Sequence, residues 1–221
     1  MTHPASRYSL IVFDWDGTLM DSASGIVASI QEASRAMGLE VPSRERASHV
    51  IGLGLHDSLR LAVPDLPAPR YAEFVEHYRT HFLAREVAMT LFPGVPELLE
   101  GLFESGFQLA VATGKSRKGL DRALLASGLG RFFSATRCAD ETSPKPHPAM
   151  LNELMRELSR LPDQLLMIGD TTHDLGMAES AGVDAVAVTY GAHPEALLRE
   201  RAPKGVVQSV ADLEAWLAAH A

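Results

Sequence analysis

Residues 8–19 read YSLIVFDWDGTL, an almost continuous apolar run that ends in an acidic turn. Short apolar runs rich in β-branched residues are typical of strands buried on both faces of a sheet. The run therefore predicts a strand from Tyr8 to Asp14, with Asp16 just beyond its carboxyl end. Open α/β sheets bind ligands at that end of their strands. The same stretch thus indicates both the fold and the edge where its site should lie.

The pattern returns along the chain. Further strands are predicted at 107–113 (FQLAVAT), 165–170 (LLMIGD) and 184–189 (DAVAVT), and weaker ones at 132–136 and 206–207. Helical spacing of apolar residues lies between them, at 95–104, 117–126, 148–159, 175–181 and 212–219. Gly106, Gly128 and Gly182 stand where three of these helices should end. The alternation predicts an α/β fold with a Rossmann-like parallel-sheet core and helices on both faces.

The segment 20–91 breaks this alternation. It offers no convincing strand but has helical patterns at 26–37, 44–50, 57–62 and 71–85. We interpret it as an inserted α-helical cap domain, so that the α/β core consists of 1–19 and 92–221. The last cap helix carries an apolar stripe, which we assign to the core of the cap: Phe74, Val75, Tyr78 and Phe82.

Composition excludes several classes of protein. The 20 Lys and Arg residues are outnumbered by 28 Asp and Glu residues, giving a formal charge of -8, so neither a nucleic acid nor an anionic membrane is an expected partner. The single cysteine cannot form an internal disulfide. Residues 1–9 do not have the pattern of a signal peptide, and no apolar stretch approaches a membrane span. A cytoplasmic protein is predicted, and its oligomeric state is left open.

A second acidic motif, GDTTHD at 169–174, follows another predicted strand. Asp170 and Asp174 are four residues apart, so both face one site if a helix begins here; helix capping alone would also suit them. If the fold gathers them with Asp14 and Asp16, the carboxylates would repel one another unless a cation lay among them. Hard oxygen ligands with open positions suit Mg2+.

Two further residues are candidates for binding a phosphate. Thr113 ends a strand in VATGK, where its hydroxyl and the following backbone amides can point outward. Lys145 lies in SPKPHP, a stiff proline frame, and its compact positive charge suits a phosphoryl oxygen or an aspartate.

Taken together, the motifs resemble the phosphatase branch of the haloacid dehalogenase (HAD) superfamily, with a helical cap after the first strand. The likeness spans nearly the whole chain and is greatest to phosphoglycolate phosphatases. It is carried, in the family's order, by Asp14, Asp16, Thr113, Lys145, Asp170 and Asp174. One departure is Gly114, where the family usually has Asn; we expect this change to affect details rather than activity.

The resemblance implies a catalytic mechanism. Asp14 would attack phosphorus to form an aspartyl-phosphate, and Asp16 would act as general acid and then as general base. Mg2+ would be bound by the Asp14 carboxylate, the Asp16 backbone carbonyl and Asp170, with Asp174 supporting the site. The transferring phosphoryl group would be bound by Thr113, Gly114 and Lys145.

The cap is expected to select the substrate, a small phosphorylated metabolite. Its stretch GLGLH at 52–56 looks like the loop that the family's caps present to substrate. Candidate substrate contacts are Arg44, Gly52, Gly54, His56 and Arg60. Dehalogenase relatives lack the second aspartate, so Asp16 favours phosphoester hydrolysis. Three alternatives stay open: a phosphate-binding or receiver-like signalling module with little turnover, a phosphomutase and a pyrophosphatase.

Overall fold

The computed structural model describes residues 7–221, and its centre is a six-stranded parallel sheet. The strands are β1 (Leu10–Phe13), β2 (Gln108–Thr113), β3 (Phe133–Cys138), β4 (Leu165–Gly169), β5 (Asp184–Val188) and β6 (Gly205–Val207). Their order across the sheet is β3-β2-β1-β4-β5-β6. All six lie where the apolar runs predict them, and the α/β fold class is confirmed.

The strand β1 lies in the interior of the sheet, paired with β2 on one side and β4 on the other. Its side chains alternate between two apolar layers. Ile11 and Phe13 pack into one cluster, whereas Leu10 and Val12 pack into the other. Because both faces are covered, the strand has no polar face, and this is why it reads as a continuous apolar run.

Six helices cover the two faces of the sheet: α5 (Val95–Glu104), α6 (Arg117–Ser127), α7 (Ala149–Glu157), α8 (Thr172–Ala181), α9 (Glu195–Arg199) and α10 (Val210–His220). The predicted glycine termini are confirmed, since Gly128 and Gly182 end α6 and α8 in the left-handed conformation at φ 70° and 69°. The helix α9 was not predicted, because five residues are too few to show helical periodicity.

Between β1 and α5 the chain forms α1 (Ala23–Ala36), α2 (Arg44–His49), α3 (Leu55–Ala62) and α4 (Tyr71–Glu86). These helices share an apolar cluster of their own, in which Phe74 and Phe82 are buried. A separate cluster is what a cap domain requires. The boundaries at 19/20 and 91/92 remain predictions.

None of the helices in residues 7–221 combines the length and apolar character that crossing a bilayer requires. The prediction about a signal peptide falls mostly on residues 1–6, which lie outside the described residues.

Candidate active site

The predicted core residues meet at the carboxyl edge of the sheet. Asp14 follows β1, Thr113 ends β2 and Asp170 follows β4. Because β1 lies between β2 and β4, these three positions are neighbours although they are far apart in the chain. All three side chains are buried, as is Asp174 in the first turn of α8.

Lys145 joins two of the aspartates. Its Nζ donates to Oδ1 of Asp14 at 2.7 Å and to Oδ1 of Asp174 at 2.6 Å. The lysine side chain is fully buried, and both carboxylates are at most 1% exposed. One buried ammonium thus bridges the end of β1 and the start of α8.

The other oxygen of Asp174 belongs to a helix cap. Thr171 donates to Oδ2 of Asp174 from its hydroxyl at 2.6 Å and from its backbone N–H at 3.0 Å. In return, the Asp174 N–H donates to the Thr171 hydroxyl at 3.2 Å. This capping box starts α8 and orients Asp174 toward Lys145. The capping interpretation of Asp174 is therefore confirmed, whereas its role in supporting a metal stays a prediction.

Asp170 is held by the loops after β1 and β5. The Thr18 hydroxyl donates to its Oδ1 at 2.9 Å, and the backbone N–H of Ala192 donates to its Oδ2 at 2.7 Å. Gly17 permits this close approach, because a Cβ at that position would lie 2.1 Å from Oδ2 of Asp170. The glycine also has φ +85°, which other residues rarely adopt.

The carboxylate of Asp16 points away from the other three. Its Oδ1 accepts from the Ser22 hydroxyl at 2.7 Å and pairs with Nζ of Lys115 at 3.0 Å. Lys115 also lies over the ring of Phe82, 4.9 Å from its centroid. The expectation that four carboxylates gather is therefore wrong for this side chain, because a cation of its own holds it toward the cap. This orientation is compatible with the predicted ligand from Asp16, which is its backbone carbonyl.

Four supporting residues escaped the sequence analysis: Thr18, Ser22, Lys115 and Thr171. Thr18 stands inside the first motif and Thr171 inside the second, so both could have been found as partners of the aspartates. Lys115 carries no such signal, since its pairing with Asp16 depends on how the end of β2 faces the loop after β1.

The phosphate candidates lie where β2 ends. Thr113 is buried, and its hydroxyl accepts from the backbone N–H of Lys115 at 3.2 Å. Gly114 touches the cap, because a Cβ there would lie 2.6 Å and 2.5 Å from the carbonyl oxygens of Gly52 and Leu53. The residue that departs from the family pattern is thus a contact between cap and core.

Burial sets the electrostatics of the site. It raises the pKa of Asp14 to about 7, since desolvation and the neighbouring Asp174 outweigh the attraction of Lys145. The pKa of Asp170 is raised for the same reason, chiefly by burial and then by Asp14 and Asp174. Burial alone would lower the pKa of Lys145, but the carboxylates of Asp14 and Asp174 raise it overall. The lysine is therefore charged, and the raised pKa values of Asp14 and Asp170 indicate that its single charge does not compensate all the carboxylates around it.

The donor set fits a metal ion. Asp14, Asp170 and Asp174 each offer an oxygen within 4.8 Å of the others. A single ammonium cannot neutralise three buried carboxylates. Oδ2 of Asp14 is buried and has no hydrogen-bond partner among the described residues, and a polar atom buried in this way is costly unless something binds it. A cation at this position would satisfy both the charge and the free oxygen.

The cap candidates lie in two places. Gly52 lines a cavity between cap and core, and Gly54 faces the core, since a Cβ there would be 3.4 Å from Ala139 and Pro144. The charged candidates are exposed and do not line that cavity. Arg44 donates to Ser24, His56 stacks on Tyr71, and Arg60 lies 3.7 Å from Asp57. The structure gives no support for a role of these three residues in binding substrate, and that role stays a prediction.

Comparison with known proteins places this geometry in a family. Residues 11–188 match the family model described as haloacid dehalogenase-like hydrolase. The chain is 36% identical over 218 residues to "Probable phosphatase IndB" of Dickeya dadantii, covering 96% of this chain and 94% of that one. It is 32% identical over 209 residues to a phosphoglycolate phosphatase of Pectobacterium atrosepticum, covering 92% and 89%.

A solved structure has the same fold. The crystal structure of a predicted phosphoglycolate phosphatase from Haemophilus somnus matches with a TM-score of 0.86 and 29% identity. The match covers 95% of this chain and 98% of that one. The chain belongs to the haloacid dehalogenase-like hydrolases. Within them it is an enzyme of the phosphatase type, similar to phosphoglycolate phosphatases.

Proposed function

We propose that the protein hydrolyses phosphomonoesters of small metabolites with Mg2+, through an aspartyl-phosphate on Asp14. The observation that carries the proposal is the free, buried Oδ2 of Asp14 at the carboxyl end of β1. Lys145 holds the other oxygen at 2.7 Å, so the carboxylate is fixed in one orientation and Oδ2 is left open toward the Mg2+ and the phosphoryl group that would approach it. A carboxylate held in this way can act as a nucleophile.

Asp16 supplies the proton transfers. As Asp14 bonds to phosphorus and the ester bond breaks, the leaving oxygen takes a proton from Asp16. Asp16 then accepts a proton from the water that attacks the aspartyl-phosphate, and inorganic phosphate is released. Ser22 and Lys115, which contact Oδ1 of Asp16, hold this carboxyl group in one orientation.

The remaining core residues bind the phosphoryl group and the metal. Thr113, Gly114 and Lys145 would bind the phosphoryl oxygens. The Asp14 carboxylate, the Asp16 carbonyl and Asp170 would hold Mg2+, with Asp174 in support; Lys145 and Thr171 fix the Asp174 carboxylate in place. The bound ion supplies positive charge that offsets the phosphoryl oxygens and the buried carboxylates.

Two observations favour hydrolysis over a receiver-like signalling role. A second buried aspartate, Asp16, is available to activate water, and the cap loop contacts the core beside the site at Gly114, which helps to limit the access of water. The name of the Pectobacterium relative supports a small phosphorylated substrate. Phosphomutase and pyrophosphatase activities of the same fold are tested by including their substrates in the assay. The cytoplasmic location stays a prediction.

The test is phosphate release from a panel of small phosphoesters with Mg2+ or EDTA. Asp14→Asn should lower turnover by at least about a thousandfold, because removal of the nucleophile removes the covalent route. Asp65→Asn, which changes an exposed aspartate of the cap, serves as a matched control and should retain activity. Near-normal activity of a folded Asp14→Asn variant would show that another residue is the nucleophile.

A further inference from the structure

A cavity of about 270 Å³ lies between the cap and the core. Asp16 and Lys115 line it, and so do Gly52 and Gly114 on either side of the cap–core contact. Of the described residues, Asp14, Thr113 and Lys145 do not line it. The cavity therefore lies beyond Asp16 rather than around the phosphoryl site. Since Asp16 is the proposed donor of the proton to the leaving oxygen, the cavity is on the leaving-group side of the reaction.

The cap side of this cavity is apolar. It is formed by aliphatic and aromatic side chains from the cap: Ile30, Leu53, Leu55, Tyr78, Phe82 and Leu83. Tyr78 and Phe82 are stacked, with ring centroids 5.8 Å apart and ring planes inclined by 20°. Their rings form a broad apolar surface close to Asp16, which is what an apolar group of a ligand packs against.

The cationic groups of the cavity lie on its core side and at its opening to solvent, here called the mouth. Lys115 is paired with Asp16 and covered by Phe82. Arg122 is paired with Glu86 at 2.6 Å. Arg79 and Lys118 line the cavity from exposed positions. A leaving group as short as a single carboxylate would leave most of the apolar walls unfilled, and the cation beside Asp16, Lys115, is already paired.

We infer that the enzyme acts on phosphomonoesters whose leaving group has a bulky apolar body, about as large as a six-membered ring. The inference rests on the proposed function, because it assigns the cavity to the leaving group of the same reaction. Ligand pockets of this kind are lined mostly by apolar side chains with few polar groups. The apolar walls bind the body of the leaving group, and the exposed cations at the mouth leave room for a polar or anionic far end.

The experiment compares kcat/KM for four phosphoesters with Mg2+: benzyl, cyclohexylmethyl and ethyl phosphate, and phosphoglycolate. The first three release alcohols that differ mainly in apolar bulk. We expect both ring-bearing esters to exceed ethyl phosphate and phosphoglycolate by at least about tenfold, since one extra methylene in an apolar pocket is already worth about this factor. A preference for phosphoglycolate or ethyl phosphate would overturn the inference while leaving the proposed hydrolase activity in place.

Failure of the proposed function gives a different result. No release of phosphate from any of these esters, nor from a wider panel, by folded protein with Mg2+ would overturn the proposed function and the inference with it. Release from all four esters at similar rates would overturn the inference alone, because it would show that the apolar walls do not select the leaving group.

A pair of cap variants tests whether this cavity is the cause of the preference. Leu83 lines the cavity and its side chain is 44% exposed, whereas Leu61 is 48% exposed on α3 and does not line it. Leu83→Asn should reduce the ratio of kcat/KM for benzyl to ethyl phosphate by at least about threefold. Leu61→Asn should keep the wild-type ratio and rate. Equal ratios in wild type and Leu83→Asn would show that the preference arises elsewhere.

Discussion

Lys115 links Asp16, the proposed general acid, to an aromatic side chain of the cap. Its ammonium pairs with Asp16 at 3.0 Å and lies over Phe82 of α4. With side-chain exposures of 9% and 10% for Lys115 and Asp16, the pair is largely shielded from water. It is therefore a stronger interaction than an exposed ion pair would be.

Lys115→Met should lower kcat by about 10- to 100-fold. The variant loses the ion pair that helps to fix Asp16, and a 10- to 100-fold change in kcat corresponds to about 1.4–2.7 kcal/mol. Steady-state kinetics on the best substrate, with thermal unfolding as a check on folding, would measure this. Lys118→Met removes a nearby exposed lysine and should change kcat less. Equal kcat in Lys115→Met and wild type would show that Ser22 alone is enough to orient Asp16.

Cys138, at the end of β3, should be unreactive in the folded protein. Burial raises the pKa of its thiol to about 12, and only the thiolate reacts with alkylating reagents. Because the folded state holds this proton more tightly than the unfolded state, its contribution to stability is present below the ordinary thiol pKa. That contribution is lost as the pH rises toward 12.

Alkylation at pH 8 followed by mass spectrometry measures this directly. The rate in buffer should be at least about 100-fold below the rate in denaturant, where the thiol has its ordinary pKa and is accessible. Comparable rates in the two conditions would mean that β3 opens readily, and that the buried position of Cys138 does not persist in solution.

At the scale of elements, residues 50–54 of the cap pack so closely against the end of β2 that an added side chain there would clash. Gly114 leaves no space for a side chain, since a Cβ there would lie 2.5 and 2.6 Å from the backbone carbonyl oxygens of Leu53 and Gly52 in the cap. The sequence led us to expect only minor consequences of having glycine where the family usually has Asn. The structure adds that this glycine allows the cap loop to approach the core closely.

Gly114→Ala should therefore lower kcat/KM by about 10- to 100-fold, because its Cβ displaces the cap loop by a fraction of an ångström or more. Gly101→Ala is the matched control, since a Cβ at that helix position meets nothing within 4 Å. It should retain activity and gain about 0.5–1 kcal/mol of stability. Activity of Gly114→Ala within twofold of wild type would show that the cap loop moves without cost.

For the whole molecule, the buried carboxylates of the proposed Mg2+ site should couple stability to cation binding. Mg2+ at 100 times its Kd should increase the free energy of unfolding by about 2.7 kcal/mol. This corresponds to a rise in Tm of about 5–10 °C for a chain of this length. Thermal unfolding with Mg2+ or EDTA measures it without any assay of activity.

Asp170→Asn should abolish this shift in Tm, whereas Asp65→Asn should keep it. Asp170 is buried at the carboxyl edge of the sheet, and Asp65 is exposed in the cap. An undiminished shift in Asp170→Asn would place the ion at other residues and would contradict the assigned donor set.

The amino-acid sequence alone was enough to predict the alternation of strands and helices and the edge of the sheet where the site lies. These features depend on local patterns: apolar runs for β1 to β6, and glycines such as Gly128 and Gly182 at helix ends. The sequence also indicated which residues lie together at that edge, because Asp14, Asp170 and Lys145 belong to short motifs with recognisable spacing and flanking residues; their catalytic roles stay predictions.

The partners of those residues and the shape of the cavity were decided by the tertiary structure. Asp16 pairs with Lys115 from the other side of the cap insertion, 99 positions later in the chain. Tyr78 and Phe82 read as a stripe of the cap core, yet both also line the cavity beside Asp16. A helical pattern shows which residues share a face, but what that face meets depends on how the cap packs on the core. Contacts between distant segments follow from packing and carry no local signal.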